Sequence, residues 1–440
     1  MICRPSKLAP VVYVIDSHSD EDKSKTGGRR FIQGNLRRNI IVQLGHGAFG
    51  QTGFRLIAAP TFIPAYLFSI TGSDVLVGLT RAFQAFGTVL SPFIGASLIG
   101  HRKKILGITV AVSVLMRLQV FGLALAGFFL GQQALVPVTI VLLTLIGFFQ
   151  GMSQVQMQSL RAKVIPTDKR GIVTGARNSI AGICSAIVSY IAGAFVLQQN
   201  LLGNGYASIF LMAFVIASIG VFVLCFTKEP RADSVRIKES FLGTLRSIPD
   251  LIRQDPAFGR FFIARAFGSF GRMALPFYVL YAGMRMELDG LTLGVLTTVW
   301  MITSSTANLF WGLIADRKGY RLVMIITLAI WTLSHIQLLY VETLNGMIIF
   351  FVLMGIPSGG FNQSGQNMVL EFGKNQDIPL RLAASGSAVN LIGAIGPLIG
   401  GAIAAVYSYE VLFITTIVLQ GIGLIGLIKY VPEPRLRVNL

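Results

Sequence analysis

The sequence predicts an all-α polytopic membrane protein with twelve transmembrane helices, arranged as two pseudo-symmetric six-helix bundles with both termini cytoplasmic. Three observations carry this. Of 440 residues, 53% are hydrophobic and only 13% charged, with a mean hydropathy of +0.69, whereas a soluble domain carries about a quarter charged residues. The charges punctuate apolar runs of roughly 20 residues, the length that crosses about 30 Å of hydrocarbon. The second half of the chain also repeats landmarks of the first.

The apolar runs place spans at 40–67, 75–98, 105–130, 136–160, 173–197, 206–226, 259–283, 291–315, 320–341, 347–370, 382–405 and 411–429. Forty-eight glycines suit helices that approach closely in lipid. The organisation expected is a disordered cytoplasmic tail at 1–38, a first bundle at 39–226, a cytoplasmic linker at 227–258, a second bundle at 259–430 and a short tail at 431–440. Residues 1–38 lack a signal-peptide cleavage pattern, because "LAPVVYVI" is followed by "DSHSDEDKSKTGG".

The net charge of +18 reports topology. Lys and Arg crowd the tails and the loops between even and odd spans, while Arg285 stands alone in an opposite-side loop. That is the positive-inside pattern, with contact to anionic lipid as its further consequence. It argues against nucleic acid as a partner. Cys3, Cys184 and Cys225 show no disulfide or metal spacing.

The repeat is legible in pairs of motifs. "FIGASLIGHRKKIL" after the second span answers "LFWGLIADRKGYRLV" after the eighth, matching Gly95 to Gly312 at an offset of 217. "IPTDKRGIVTGARNSIAG" answers "DIPLRLAASGSAVNLIG", matching Gly182 to Gly393 at an offset of 211. "CFTKEPR" and "KYVPEPR" end the sixth and twelfth spans. Such duplication is characteristic of transporters.

With these motifs in place, residues 39–435 resemble the major facilitator superfamily of secondary transporters. Its signature loop G-x-x-x-D-R-x-G-x-R/K is matched by "GLIADRKGYR", Gly312 to Arg321. The resemblance implies the superfamily's fold and a gating role for Gly312, Asp316, Arg317, Gly319 and Arg321. Asp316 would cap a neighbouring helix, and the arginines would latch cytoplasmic helix ends, with Glu371 as a partner. Charge-assisted pairs at a bundle's mouth can bias a two-state equilibrium. The first-half copy departs from the pattern, with Ile99 in place of the aspartate and Arg102 in place of the later glycine. The arginine that proton/drug exporters carry before Gln-Gly in the fourth span is Gly147 here, and their Gly-Pro-rich fifth-span signature is missing. A similar string, "GAIGPLIGG", lies in the eleventh span.

Five arginines are read within spans: Arg55, Arg81, Arg117, Arg265 and Arg272. A charge at mid-bilayer costs at least about 2.5–3.5 kcal/mol, so each needs water, a partner or a route to the interface. Arg81 and Arg265 lie near span ends and are expected to reach the interface, and Arg117 to be structural. Arg55 in "GFRLIAAP" and Arg272 in "FGRMALP" sit mid-span before a proline, 217 residues apart. Equivalent positions on the first and seventh helices face one another across the pseudo-twofold axis, where substrate binds in such folds.

Amides supply the other candidate ligands. Gln150, Gln154 and Gln158 form a stripe on the fourth span; Asn362, Gln363, Gln366 and Asn367 lie on the tenth, and Gln51 precedes Arg55 on the first. Their donors and acceptors orient polar ligands; they equally serve as interhelical glue. All 19 acidic residues fall in tails, loops or span ends, so an anionic substrate would complete the two-arginine site, and a guanidinium fork suits phosphate or carboxylate. One arginine on each of the first and seventh helices is also the arrangement of the superfamily's organic-phosphate/phosphate antiporters. His46, nine residues before Arg55, falls about 180° away on a straight helix.

The function expected is secondary active transport of a small hydrophilic, anionic solute by alternating access, by a monomer in the plasma or inner membrane without a cofactor. Export of amphipathic compounds, and a non-transporting sensor or assembly factor, stay open. No nucleotide-binding GxxxxGK[ST] loop and no metal cluster marks an enzyme or an ATP-driven pump.

Overall fold

The computed structural model describes residues 17–100, 102–231, 248–372 and 378–433. In chain order the helices are α1 (Ser17–His46), α2 (Thr52–Ala58), α3 (Phe62–Thr71), α4 (Asp74–Gly100), α5 (Leu106–Phe129), α6 (Gln132–Val164), α7 (Thr167–Ile191) and α8 (Gly205–Leu224). They continue as α9 (Ile248–Gln254), α10 (Pro256–Gly268), α11 (Gly271–Ala274), α12 (Tyr278–Arg285), α13 (Gly290–Lys318), α14 (Tyr320–Leu338), α15 (Leu344–Leu370), α16 (Ile378–Val406) and α17 (Tyr409–Tyr430). A π-turn, Gly47–Gln51, joins α1 to α2, and another, Ala192–Leu197, extends α7.

Ten helices among the described residues, α4 to α8 and α13 to α17, are long and apolar enough to cross a membrane. The first span makes an eleventh as a pair bent by 41°. The bend is written in the sequence. Pro60 pushes the residue before it out of the α region, and Ala59 accordingly adopts φ −56°, ψ 145°. The predicted seventh span, 259–283, is cut into α10, α11, a 3₁₀ turn at Leu275–Phe277 and α12. Pro276 within that turn cannot donate to an α-helical ladder. Helix α1 already begins at Ser17, so residues 17–38, expected as a disordered tail, are helical. Most of the expected linker, residues 232–247, and the tail beyond 433 lie outside the described residues.

Helices within each half pack through small residues, as lipid-embedded helices must. A Cβ on Gly87 of α4 would stand 2.7 Å from backbone atoms of Thr144 and Phe148 on α6, and one on Gly53 of α2 would stand 2.7 Å from the Ala217 nitrogen on α8. Paired carboxylates mark the basic-loop end of each half. Glu229 accepts from the backbone N–H of Ile105 and Leu106 at the start of α5 and from Lys163 Nζ at 2.8 Å. Glu433, its repeat mate, lies at the start of α14, 2.8 Å from where a Gly319 Cβ would be. Anions at helix N-termini are stabilised by the exposed N–H groups and the dipole.

Among the described residues the halves meet along α4–α16 and α7–α13, with their closest backbone approaches toward the end opposite the basic loops. There, a Cβ on Gly401 would stand 2.8 Å from the Asp74 carbonyl oxygen and 3.4 Å from the Gly78 Cα, and one on Gly294 would stand 2.9 Å from the Gly193 Cα. The Tyr409 hydroxyl donates to Asp74 at 2.6 Å, and Thr61 and Thr297 hydroxyls share a bond at 2.6 Å. At the basic end, glycines of the same four helices (Gly100, Gly171, Gly175, Gly312 and Gly386) have nothing within 4 Å of an added Cβ. Among the described residues the halves are in contact at the far end and show no such glycine contact at the basic end.

Candidate functional site

Arg55 and Arg272 sit at the level where the halves part. Arg55, half-buried on α2, donates to Ser305 Oγ of α13 at 3.4 Å, across the divide between halves. Gly182 of α7 lies beneath it, with its Cβ position 3.5 Å from Arg55 Nη1. Arg272, half-buried on α11, donates to Asn362 Oδ1 of α15 at 2.8 Å and lies 3.5 Å from the Cβ position of Gly393 on α16. Gly182 and Gly393 are the repeat-matched pair read from the sequence, so each arginine stands in the same local frame. None of the ion pairs among the described residues involves either one.

The other three in-span arginines behave differently from one another. Arg117 is buried and donates to the carbonyls of Ala217 at 2.8 Å and Ser113 at 2.7 Å, binding α5 to α8. Arg81 donates to Gln84 at 2.7 Å. Arg265, expected to reach the interface, is instead 3% exposed and donates to Ser385 of α16, against Gly365 of α15. The glycine leaves room for the guanidinium, and the serine supplies an acceptor inside the bundle.

Sequence reasoning missed Arg177. It is 4% exposed on α7, and its side chain lies against the π-turn, occupying space that a Cβ on Gly47 would fill. Its Nη2 lies 3.4 Å from His46 Nδ1. The Gln51 amide, turned so that its oxygen meets donors, accepts from both terminal nitrogens of Arg177 at 2.8 and 3.1 Å. Gln51 therefore meets a cation, though not Arg55. The π-turn between His46 and Arg55 adds a wider, i→i+5 turn to the straight-helix count. The available signal was that Arg177 falls inside the span boundaries 173–197.

The amide stripes are placed less directly. Gln154 and Gln158 are exposed along α6 and Gln150 is half-buried; Gln363 and Gln366 are exposed along α15 and Asn367 is half-buried. Among the described residues only Asn362 of this set is bonded to a central arginine. Of the gating residues, Gly312 faces open space, Arg317 is exposed, and Gly319 turns the chain between α13 and α14 with φ +88°, a conformation glycine adopts without strain. Arg321 donates to the terminal carbonyls of α17, Val431 at 2.5 Å and Ile428 at 2.9 Å. Glu371 is half-buried at the end of α15, and the Asp316 side chain lies outside the described residues.

Two sets of membrane helices, sealed at one end and parted at the other around cationic side chains, define a polytopic membrane transporter. The chain belongs to the Major Facilitator Superfamily, whose sequence profile matches residues 46–292 and 261–439. It is a transporter rather than an enzyme. It is 21% identical over 397 residues to a multi-drug resistance efflux pump PmrA homolog of Lactococcus lactis subsp. lactis, covering 87% of this chain and 92% of that protein. It is 25% identical over 394 residues to the multidrug resistance protein MdtG of Citrobacter koseri, with 87% and 92% covered. The D-xylose-proton symporter shares its fold with a TM-score of 0.70 at 13% identity, covering 91% of this chain and 99% of that one.

Proposed function

We propose that this transporter moves a small hydrophilic anion by alternating access, with Arg55 and Arg272 as the central ligands. The observation that supports this most is the pair itself: two repeat-related guanidiniums at the parting of the halves, each held by a neutral hydroxyl or amide instead of a carboxylate. A desolvated cation with only neutral partners is a ready site for a carboxylate or phosphate fork. Gln51, Gln150, Gln154, Gln158, Asn362, Gln363, Gln366 and Asn367 then line the path, and Gly312 to Arg321 with Glu371 gate the basic end. The membrane is the plasma or inner membrane, and the working unit a monomer.

Export of amphipathic compounds is the second reading, favoured by the names of the efflux relatives. Ligand-induced thermal stabilisation of the purified full chain separates the two. Organic anions raise the unfolding temperature under the first reading, and Arg55→Gln and Arg272→Gln each remove that rise while remaining folded. Stabilisation by lipophilic cations alone, unchanged in both variants, overturns it.

A further inference from the structure

We propose that the groove between α10 and α17 holds one anionic phospholipid, with an acyl chain along its length and the headgroup phosphate on Arg260. The groove has a volume of about 460 Å³, and its walls are Ile263 and Phe267 of α10 and Ile422 and Ile425 of α17. A Cβ on Gly423 would stand 2.6 Å from the Gly268 nitrogen, and one on Gly426 would stand 3.2 Å from Ala264 Cβ. The two helices therefore run antiparallel, which brings Arg260 near the start of α10 level with Tyr430 at the end of α17. Both line the groove. From Arg260 to Phe267 the helix rises about 10 Å, about two-thirds of one leaflet of a 30 Å hydrocarbon core. The slot is thus apolar along its length and cationic at one end, the polarity of an anionic lipid.

The repeat shows that the fold does not require this groove. The offset of 204 that matches Glu229 to Glu433 puts Phe222 where the second half has Gly426, and Phe226 at the place of Tyr430. The Phe222 and Phe226 rings pack 5.2 Å apart, so aromatic rings stand where the second half leaves its floor bare. The cations differ as well. Arg38 of α1 donates to the Phe226 carbonyl at 2.9 Å, which commits it to the neighbouring helix end. Arg260 donates from Nε within its own helix, to the Pro256 carbonyl at 3.2 Å, and none of the ion pairs among the described residues involves it. Asp255, close by in sequence, is paired with Arg381 at 2.7 Å. The terminal nitrogens of a guanidinium match two phosphate oxygens, and tyrosine suits the headgroup level. A zwitterionic lipid brings the same phosphate with its own cation beside it, so the guanidinium favours the anionic one.

The test uses the full chain in detergent micelles doped with phosphatidylglycerol or with phosphatidylcholine of the same acyl chains. Phosphatidylglycerol is expected to raise the unfolding temperature at a several-fold lower mole fraction, and native mass spectrometry to show one retained copy. Arg260→Gln should abolish both the preference and the retained copy. Gly426→Phe, which restores the first half's residue and fills the slot, should do the same. Arg253→Gln removes an exposed cation outside the groove and should leave both unchanged. A preference and a retained lipid that persist in folded Arg260→Gln overturn the site. Equal loss in Arg253→Gln reduces the effect to general surface charge and overturns it too. Soluble glycerol phosphate should not stabilise the protein; a rise matching that of the lipid would assign Arg260 to a free phosphate and overturn the lipid.

Discussion

The Nη1 atom of Arg272 lies 3.5 Å from the point where a Cβ on Gly393 would stand, and Arg55 repeats the distance over Gly182. The two frames differ in what lies on the other side. A Cβ on Gly393 meets only Arg272, at ordinary contact distance, whereas one on Gly182 also stands about 2.5 Å from Ser305 Cβ of the opposite half. Gly393→Ala should therefore match or exceed the parent's stability, helped by a helix-propensity gain of up to about 1 kcal/mol. Gly182→Ala should push the halves apart. Unfolding temperatures, with spin-label distances between α7 and α13, check the pair; equal distances in both variants would count against it.

The far-end seal rests on backbone contact between glycines. A Cβ on Gly193 would stand 2.6 Å from the Gly294 nitrogen, and packed backbones yield little. Gly193→Leu is expected to shift the population toward a state open at the far end. In an otherwise cysteine-free chain, Thr61→Cys, buried beneath the seal, should become reactive to an impermeant maleimide only when the leucine is present. Unchanged labelling would place the seal elsewhere.

Glu229 and Glu410 make a contrast in the worth of ion pairs. Glu229 is 2% exposed and accepts from two backbone N–H groups besides Lys163, whereas the side chains of Arg285 and Glu410 are 38% and 42% exposed. Leaving buried donors without their acceptor costs about 3 kcal/mol, while an exposed pair contributes less than about 1 kcal/mol. Denaturant titration should show Glu229→Gln losing the larger amount and Glu410→Gln close to the parent. Comparable losses would contradict the burial argument.

The helices and their doubling were legible because hydropathy and spacing survive without packing detail. The offset that aligned Gly95 with Gly312 also aligned Arg55 with Arg272, and the structure gives those arginines matching glycine neighbours. Three things were not legible. The π-turn at Gly47–Gln51 is an extra residue in a helical ladder, invisible to a straight-helix count. The burial of Arg265 depends on Ser385 and Gly365, more than a hundred and about a hundred residues away in sequence. The segmentation of 259–283 follows from Pro276 together with tertiary packing, since Pro92, Pro137, Pro357 and Pro397 lie inside unbroken helices.

Asp289 links the far-end seal to pH. It caps α13, accepting from the Thr292 N–H at 2.8 Å, while Gln198 of the other half accepts from the Leu291 N–H at 3.1 Å. Burial works against the Asp289 carboxylate, but hydrogen bonds from Thr292 and Gln198 outweigh it and hold its pKa below the ordinary carboxylate value. For a depressed carboxyl the sign is fixed: its stabilisation is complete above the unfolded-state value of about 3.9 and is lost as pH falls through the lower folded value. Acidification below about pH 4 should thus fray the start of α13 and loosen its hold on Gln198. Asp289→Ala should remove this step, at a cost of about 1 kcal/mol for the lost cap, whereas Asp289→Ser, a cap that does not titrate, should keep most of the stability without the pH step. Hydrogen exchange of the Gly290–Thr292 amides across this range reads the step directly, and an acid step persisting unchanged in Asp289→Ser would assign it to another carboxylate.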